Sequence, residues 1–371
     1  MVKINEFAVE QYMNQYETNV RFNLAETCCD SISAQDLADM TGEDQFLKRM
    51  ASVKLTYGPI TGSSDLKTNY IKSLGLDSDI QNDNVLIMNG AIAANYLVFF
   101  TLIEPGDHVI CVHPTYQQLQ EVPSALGADV DFLHLKKEDG YVPNGKELRC
   151  LIQPNTKLIV LNNPNNPLGS SMSEALLREI VNVAKARNIY ILCDEVYRPL
   201  FHSSETTPSV IELYPERGII TSSMSKVFSL AGIRLGAICA NPSFIQDCER
   251  RRDYSTIAVS QLDDIVATHA LKHAKVVIER NIQLARTNHK ILEAWCAKHR
   301  VEWSESVAGT TAMLRLHHRI VDIGREHGVL LVPGTCFGWP GWVRIGYCCS
   351  TQELEAGLLV LDEIVDDYIE R

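Results

Sequence analysis

Between residues 85 and 240, short apolar runs alternate with stretches of helical length. Residues 85–88, 108–112, 130–135, 157–162, 189–193, 218–221 and 235–240 read as strands. Residues 91–103, 116–126 and 173–187 read as helices between them, and Glu104-Pro105-Gly106-Asp107 reads as a turn. Strands that are apolar along their whole length are buried on both faces. Alternation with helices therefore predicts an α/β fold with a mostly parallel sheet under helices on both sides. In such a sheet, ligands bind beyond the carboxyl ends of the strands. That restricts where chemistry can sit before any motif is considered.

The flanks have a different texture. Apolar residues at helical spacing (Ile4, Phe7, Ala8, Tyr12, Tyr16) predict an amphipathic helix over 4–17. Residues 57–64 are a glycine- and proline-bearing loop, and Ser64-Asp65 is positioned to cap a helix reaching residue 74. From about residue 290 the segments 290–298, 311–316, 329–331, 342–347 and 352–368 read as an α+β unit. A chain of 371 residues exceeds the size at which single cores stop growing, roughly 250–300 residues. The expected division is 1–49 as a helix and arm belonging to a small domain, 50–289 as a large domain, and 290–371 as the rest of the small domain.

Charge and cysteine usage exclude several functions. A net charge of −12 argues against a nucleic-acid partner. The Arg250-Arg251-Arg252 cluster sits between Glu249 and Asp253 and reads as a solvated helix face. The 11 cysteines show no Cys-x-x-Cys and no zinc spacing, so no metal is expected. Their scatter fits reduced, buried thiols and a cytoplasmic protein. The first ten residues are charged where a signal peptide is apolar, and the apolar stretch near 96–103 is too short to span a bilayer.

Polar signals stand at the predicted strand ends. Asn89-Gly90-Ala91-Ile92 opens a helix, whose backbone N–H groups can bind a phosphate. Pro114-Thr115-Tyr116 offers an aromatic that could stack on a flat ring, or simply join the core. Asn162-Asn163-Pro164-Asn165-Asn166-Pro167-Leu168-Gly169 is a tight loop rich in donors and acceptors. Asp194 follows a buried run and needs a partner: a protonated ring nitrogen is one, a helix N-cap role another, and Tyr197 could reach the same ligand. Lys226 lies among Ser223, Ser225 and Ser229, with Leu230, Ala231 and Gly232 beyond. So small a setting is expected to desolvate the amine and lower its pKa, as a Schiff-base lysine requires. Taken alone, it is a solvated loop lysine. Arg234 suits a fixed phosphate contact.

In this order and spacing, Tyr57-Gly58-Pro59, Asn89-Gly90-Ala91, Pro114-Thr115-Tyr116, Asn163 to Gly169, Asp194-Glu195-Val196-Tyr197 and Ser223 to Arg234 resemble the class I/II aminotransferases. These are pyridoxal-phosphate enzymes of the aspartate-aminotransferase fold (fold type I), with a seven-stranded sheet in a large domain and a smaller α+β domain. The resemblance spans roughly residues 50–350. It implies pyridoxal 5′-phosphate on Lys226 as a Schiff base, with Lys226 later moving the Cα proton. Asp194 would pair with the ring nitrogen, and Asn166 and Tyr197 with the ring oxygen. Tyr116 would stack on the ring, while Ala91, Ile92, Ser223 and Arg234 hold the phosphate. Tyr57 would reach the neighbouring subunit's phosphate, which makes a homodimer with shared sites. Arg344 would grip the carboxylate of an amino-acid substrate, near Asn166 and Ala25.

The sequence departs from the common pattern at two positions. Ile92 stands where the family often has a hydroxyl residue, and Leu168 where it usually has Thr or Ser. The stretch Phe22-Asn23-Leu24-Ala25-Glu26 is similar to that of aminocyclopropane-carboxylate synthases, and the C-terminal third to capreomycidine synthase. Transamination therefore competes with elimination, replacement or cyclisation of the same amino acid. A regulatory cofactor-binding module is disfavoured by the acidic charge, and a dead scaffold by the presence of Lys226, Asp194, Tyr197, Arg234 and Arg344. Segments 23–27, 254–256 and 309–312 are candidate pocket lining.

Overall fold

The structure, a computed structural model, describes residues 4–76, 79–203 and 206–369. Its centre is a seven-stranded sheet. The strands are β1 (Val85–Met88), β2 (His108–His113), β3 (Asp129–His134), β4 (Thr156–Asn162), β5 (Tyr190–Asp194), β6 (Gly218–Ser223) and β7 (Gly236–Cys239). Their order is β1-β7-β6-β5-β4-β2-β3. Strands β2 to β6 pair in parallel, and β7 runs antiparallel to both β1 and β6.

Side-chain alternation sorts the strands into two cores. Leu86, Val109, Leu158, Val160, Leu192, Ile219 and Ile238 face helices Gly90–Leu102 and Pro242–Arg252. Ile87, Ile110, Ile159, Leu161, Ile191, Ile220 and Ala237 face helices Ser64–Ser73, Glu174–Lys185 and Gln261–Lys272. Burial on both faces explains why these strands read as continuous apolar runs.

Beside this sheet lies an antiparallel one of three strands, in the order Val332–Pro333, Val343–Gly346, Thr311–Leu314. The short strand Phe22–Asn23 pairs in parallel with Val329–Leu330, which brings the N-terminal segment to the same place. Helix Ala274–His299 runs unbroken across position 290, where the sequence changes texture.

Local boundaries differ from expectation for identifiable reasons. The cap of helix Ser64–Ser73 is Ser63, whose hydroxyl accepts from Leu66 N at 3.2 Å. Tyr116 precedes its helix, which begins at Gln118. The N-terminal helix is the shorter Ala8–Tyr16. Among the described residues no helix is long and apolar enough to cross a membrane.

Candidate active site

The strand register assembles the site. Asn162 lies beside Asp194, Asp194 beside Thr221, and Ser223 and Met88 each beside Gly236. These are the carboxyl ends of β1, β4, β5 and β6 with the start of β7. They border a cavity of about 360 Å³.

Asp194 forms its floor and is buried. Oδ2 accepts from Asn95 Nδ2 at 2.9 Å, and Oδ1 from the Val196 amide at 3.2 Å. Asn95 is oriented in turn by Thr221, whose hydroxyl donates to Asn95 Oδ1 at 2.6 Å. Burial raises the Asp194 carboxyl to about 6, although Asn95, the Val196 amide and Lys226 all favour its charged form. A buried carboxylate short of positive charge fits a cationic ligand atom.

One end of the cavity is an anion cradle. Helix Gly90–Leu102 points its N-terminus there, with Ala91 and Ile92 on the wall. A Cβ on Gly236 would lie 2.7 Å from Ala91 N, so glycine is needed for this close approach. Arg234 adopts a left-handed backbone with φ 50°, and its Nη1 donates to Ser225 Oγ at 3.3 Å. Ser223 Oγ accepts from Ser225 N at 2.9 Å.

Lys226 meets partners other than the serines around it. Its Nζ donates to Thr27 Oγ1 at 2.5 Å and lies 3.5 Å from Cys28 Sγ and 4.0 Å from Glu26 Oε1. Burial pulls the ammonium pKa down, but Cys28, Tyr197 and Glu26 outweigh it, so the net shift is upward. The expected lowering is thus corrected: in the free protein the thiol, phenol and carboxylate around the amine, Cys28 foremost, outweigh desolvation.

Arg344 lies in strand Val343–Gly346 and is buried. Its Nη1 donates to Asn166 Oδ1 at 3.2 Å and its Nη2 to Ala25 O at 2.8 Å, while Nε has no partner among the described residues. The buried hydroxyl of Tyr197, which also lines the cavity, likewise has no hydrogen-bond partner among them. Two unsatisfied buried polar atoms on one wall mark a place for a polar ligand.

Tyr116 lines the cavity and donates its hydroxyl to Glu10 Oε1 at 2.7 Å. Tyr57 is 72 % exposed and does not line this chain's cavity. Of the expected lining, Ala25, Glu26 and Thr27 are there, whereas segments 254–256 and 309–312 are not. Thr310 instead ties down the segment by donating to Thr27 O at 2.7 Å. Sequence reasoning missed Asn95, Val9, Glu10, Met13 and Glu17. The only signal for the last four was the helical period of their own segment.

Among the described residues, Glu43, His269 and His273 bring metal-ligand-type atoms within 4.8 Å of one another, away from this cavity. Lys272 already pairs with Glu43 at 2.7 Å, and the Thr41 hydroxyl with His269 Nε2 at 2.9 Å.

Comparison with known proteins gives a consistent result. Residues 35–361 match the family model "Aminotransferase class I and II". Capreomycidine synthase of Streptomyces vinaceus is 30 % identical over 289 residues, 75 % of this chain and 74 % of that one. An aspartate aminotransferase of Pyrococcus horikoshii is 29 % identical over 317 residues, 80 % of each chain. A crystal structure of a PLP-dependent aminotransferase from Streptococcus suis superimposes with a TM-score of 0.94 at 36 % identity, over 100 % of both chains.

Proposed function

The chain belongs to the class I and II aminotransferase family, and from that premise we propose that its cavity moves the amino group of a free α-amino acid to a 2-oxo acid. It is an enzyme of the aspartate-aminotransferase-like fold, and its cofactor is pyridoxal 5′-phosphate. The observation that carries the reading is Asp194: a buried carboxylate, fixed by Asn95, in the same cavity as Lys226 and Arg344.

When bound, the cofactor supplies a carbonyl for the amino group and a ring that accepts the electron pair of Cα as its proton leaves. Asp194 keeps the ring nitrogen protonated, which a carboxylate short of positive charge is suited to do. The helix N-terminus at Ala91 and Ile92, with Ser223 and Arg234, holds the phosphate. Tyr116, Asn166 and Tyr197, which line the same cavity, would hold the ring, Tyr116 by its aromatic face and the other two by hydrogen bonds. Lys226 Nζ would hold the cofactor covalently and, when free, would be the base placed to accept the Cα proton. For that step it must be neutral, so its raised pKa has to fall once the cofactor and substrate redistribute the local charge. Arg344 grips the substrate carboxylate and thereby fixes which Cα bond lies across the ring.

The site is completed in a homodimer. Tyr57 and its neighbour Leu55 (81 % exposed) lie outside this chain's cavity, and a second copy gives them a place to be buried. The protein works in the cytoplasm, consistent with its many buried free thiols.

A second reading is loss of a leaving group and ring closure on the same amino acid. Similarity to capreomycidine synthase supports it, as does an extra carboxylate, Glu26, 4.0 Å from Lys226 Nζ. One assay separates the two readings. The cofactor-loaded protein is given a panel of amino acids with pyruvate or 2-oxoglutarate, and all products are quantified. Transamination yields one new amino acid per 2-oxo acid formed, and Lys226→Ala lowers that rate by about 10³-fold or more. A product that keeps its nitrogen, with no acceptor consumed, establishes the second reading.

A further inference from the structure

The charged side chains lining the cavity are Lys226, Arg234 and Arg344 against Glu10, Glu17, Glu26 and Asp194. The reading above engages every one of the cations and, of the acids, Asp194 alone. Glu10, Glu17 and Glu26 remain, and they form one wall. We propose that the cavity selects an α-amino acid whose side chain ends in a cationic nitrogen group, received by Glu10, Glu17 and Glu26; this rests on the cavity being an amino-acid site.

The wall is built rather than incidental. Glu26 Oε1 accepts from the amides of Thr27 and Cys28 at 2.6 and 3.0 Å, which fixes the carboxylate. A Cβ on Gly346 would collide with the Glu26 carbonyl oxygen, so this backbone is pressed against strand Val343–Gly346 beside Arg344. Glu10 is fixed through the Tyr116 hydroxyl at 2.7 Å. The Glu17 carboxylate forms no hydrogen bond or ion pair among the described residues, although its backbone N–H donates to Met13 O at 2.8 Å. It occupies the C-cap of helix Ala8–Tyr16, where the helix dipole already presents negative potential. Burial first, then the charges of Glu26 and Glu10, raise its carboxyl. Glu17 therefore senses the charges of the other two acids, and a cation would relieve that repulsion.

The same cavity presents buried polar atoms to an amino acid. Among the described residues Arg344 Nε and the Tyr197 hydroxyl, both buried on residues that line it, have no hydrogen-bond partner. With the carboxylate of an amino acid at Arg344, its side chain has Val9 and Met13 available for an aliphatic stem. Among this chain's described lining residues, a side-chain carboxylate would find no unassigned cation to meet it. Aspartate and glutamate are thus disfavoured, although relatives carry aspartate-aminotransferase names.

The test uses cofactor-loaded wild-type protein and near-isosteric amino acids: arginine, lysine and ornithine against norleucine, glutamine and glutamate. Affinity is read by calorimetric titration, and turnover by product formation. The cationic set should exceed norleucine and glutamate by at least about tenfold in affinity or kcat/KM, with the advantage shrinking as ionic strength rises. Glu17→Gln and Glu26→Gln should each lower the ratio of arginine to norleucine severalfold. Processing of glutamate or norleucine at least as well as arginine overturns the inference but leaves the aminotransferase reading intact. Absence of binding and turnover with every amino acid overturns both.

Discussion

The two ends of the cavity are built on different principles. The cofactor end is made of residues that terminate buried strands: Asn162, Asp194, Thr221 and Ser223 are held in register by the sheet itself. The outer wall is made of Glu10, Glu17 and Glu26, carried by a nine-residue helix and an irregular segment hundreds of positions away from Arg344. A sheet edge gives fixed geometry and suits chemistry that must not vary. A helix leaning on that edge can change its side chains without disturbing the sheet. Substitutions at the first end should cost catalysis, and those at the second should cost preference.

The strongest way to break this contrast is at Asp194. Asp194→Ala should lower kcat by about 10²–10³-fold and weaken cofactor retention, because a preorganised buried charge is lost. The apoprotein gives an independent check. The folded Asp194 carboxyl titrates near 6, above its ordinary value of 3.8. The folded state therefore binds the proton more tightly than the unfolded state, and this group costs stability as pH rises from about 4 through 6, by about 3 kcal/mol in full. His202 acts oppositely in the same window: burial, then His289, lowers its pKa to about 4, so its contribution is lost as pH falls. The wild type and Asp194→Asn should be compared by denaturant unfolding at about pH 4.5 and pH 7, since the difference cancels His202. The variant should gain on the wild type at the higher pH. Parallel pH dependences would mean that Asp194 is not strained in the free protein.

Asn95 sharpens the contrast because it belongs to the rigid end and its side chain hydrogen-bonds, among the described residues, with Asp194, Thr221 and Gln118. Asn95→Leu removes a hydrogen bond to a charged group, of about 1.5–3 kcal/mol, so kcat/KM should fall about tenfold or more. The free-protein pKa of Asp194 should also rise further, since Asn95 favours its charged form. A loss of activity with no change in the pH profile would make Asn95 merely a packing residue.

Legibility in the sequence follows the same division. The sheet could be read because apolar runs such as Ile159-Val160-Leu161 and Ile191-Leu192-Cys193 are buried on both faces, and the polar residue ending each run marked the site. Lys226 could be found, but its environment could not. Its hydroxyl partner is Thr27, nearly two hundred positions away, and Cys28, Tyr197 and Glu26, which together oppose desolvation, are also distant in sequence or on another strand end. Glu10 and Glu17 looked like the solvated face of an amphipathic helix, because no local rule says which polar residues of such a face overhang a cavity. Asn95 was hidden inside a helix apolar all round, where a single polar residue signals a partner but not which one.

The smallest effect is expected at Ile92, one of the two places where the chain departs from its family's habit. Its side chain is 39 % exposed on the cavity wall, at the third residue of helix Gly90–Leu102. There it covers the phosphate cradle without a polar atom to offer. If backbone amides and Arg234 already satisfy the anion, a hydroxyl adds only one more hydrogen bond. Ile92→Thr should then tighten cofactor binding about threefold to tenfold, for a net gain of about 0.5–1.5 kcal/mol, with kcat nearly unchanged. Equilibrium dialysis of the cofactor against both forms reads this directly. A much larger gain would show that the cradle is incomplete without a side-chain hydroxyl. Weaker binding would show that Ile92 excludes water from the phosphate, so that an apolar residue belongs even in the rigid half of the site.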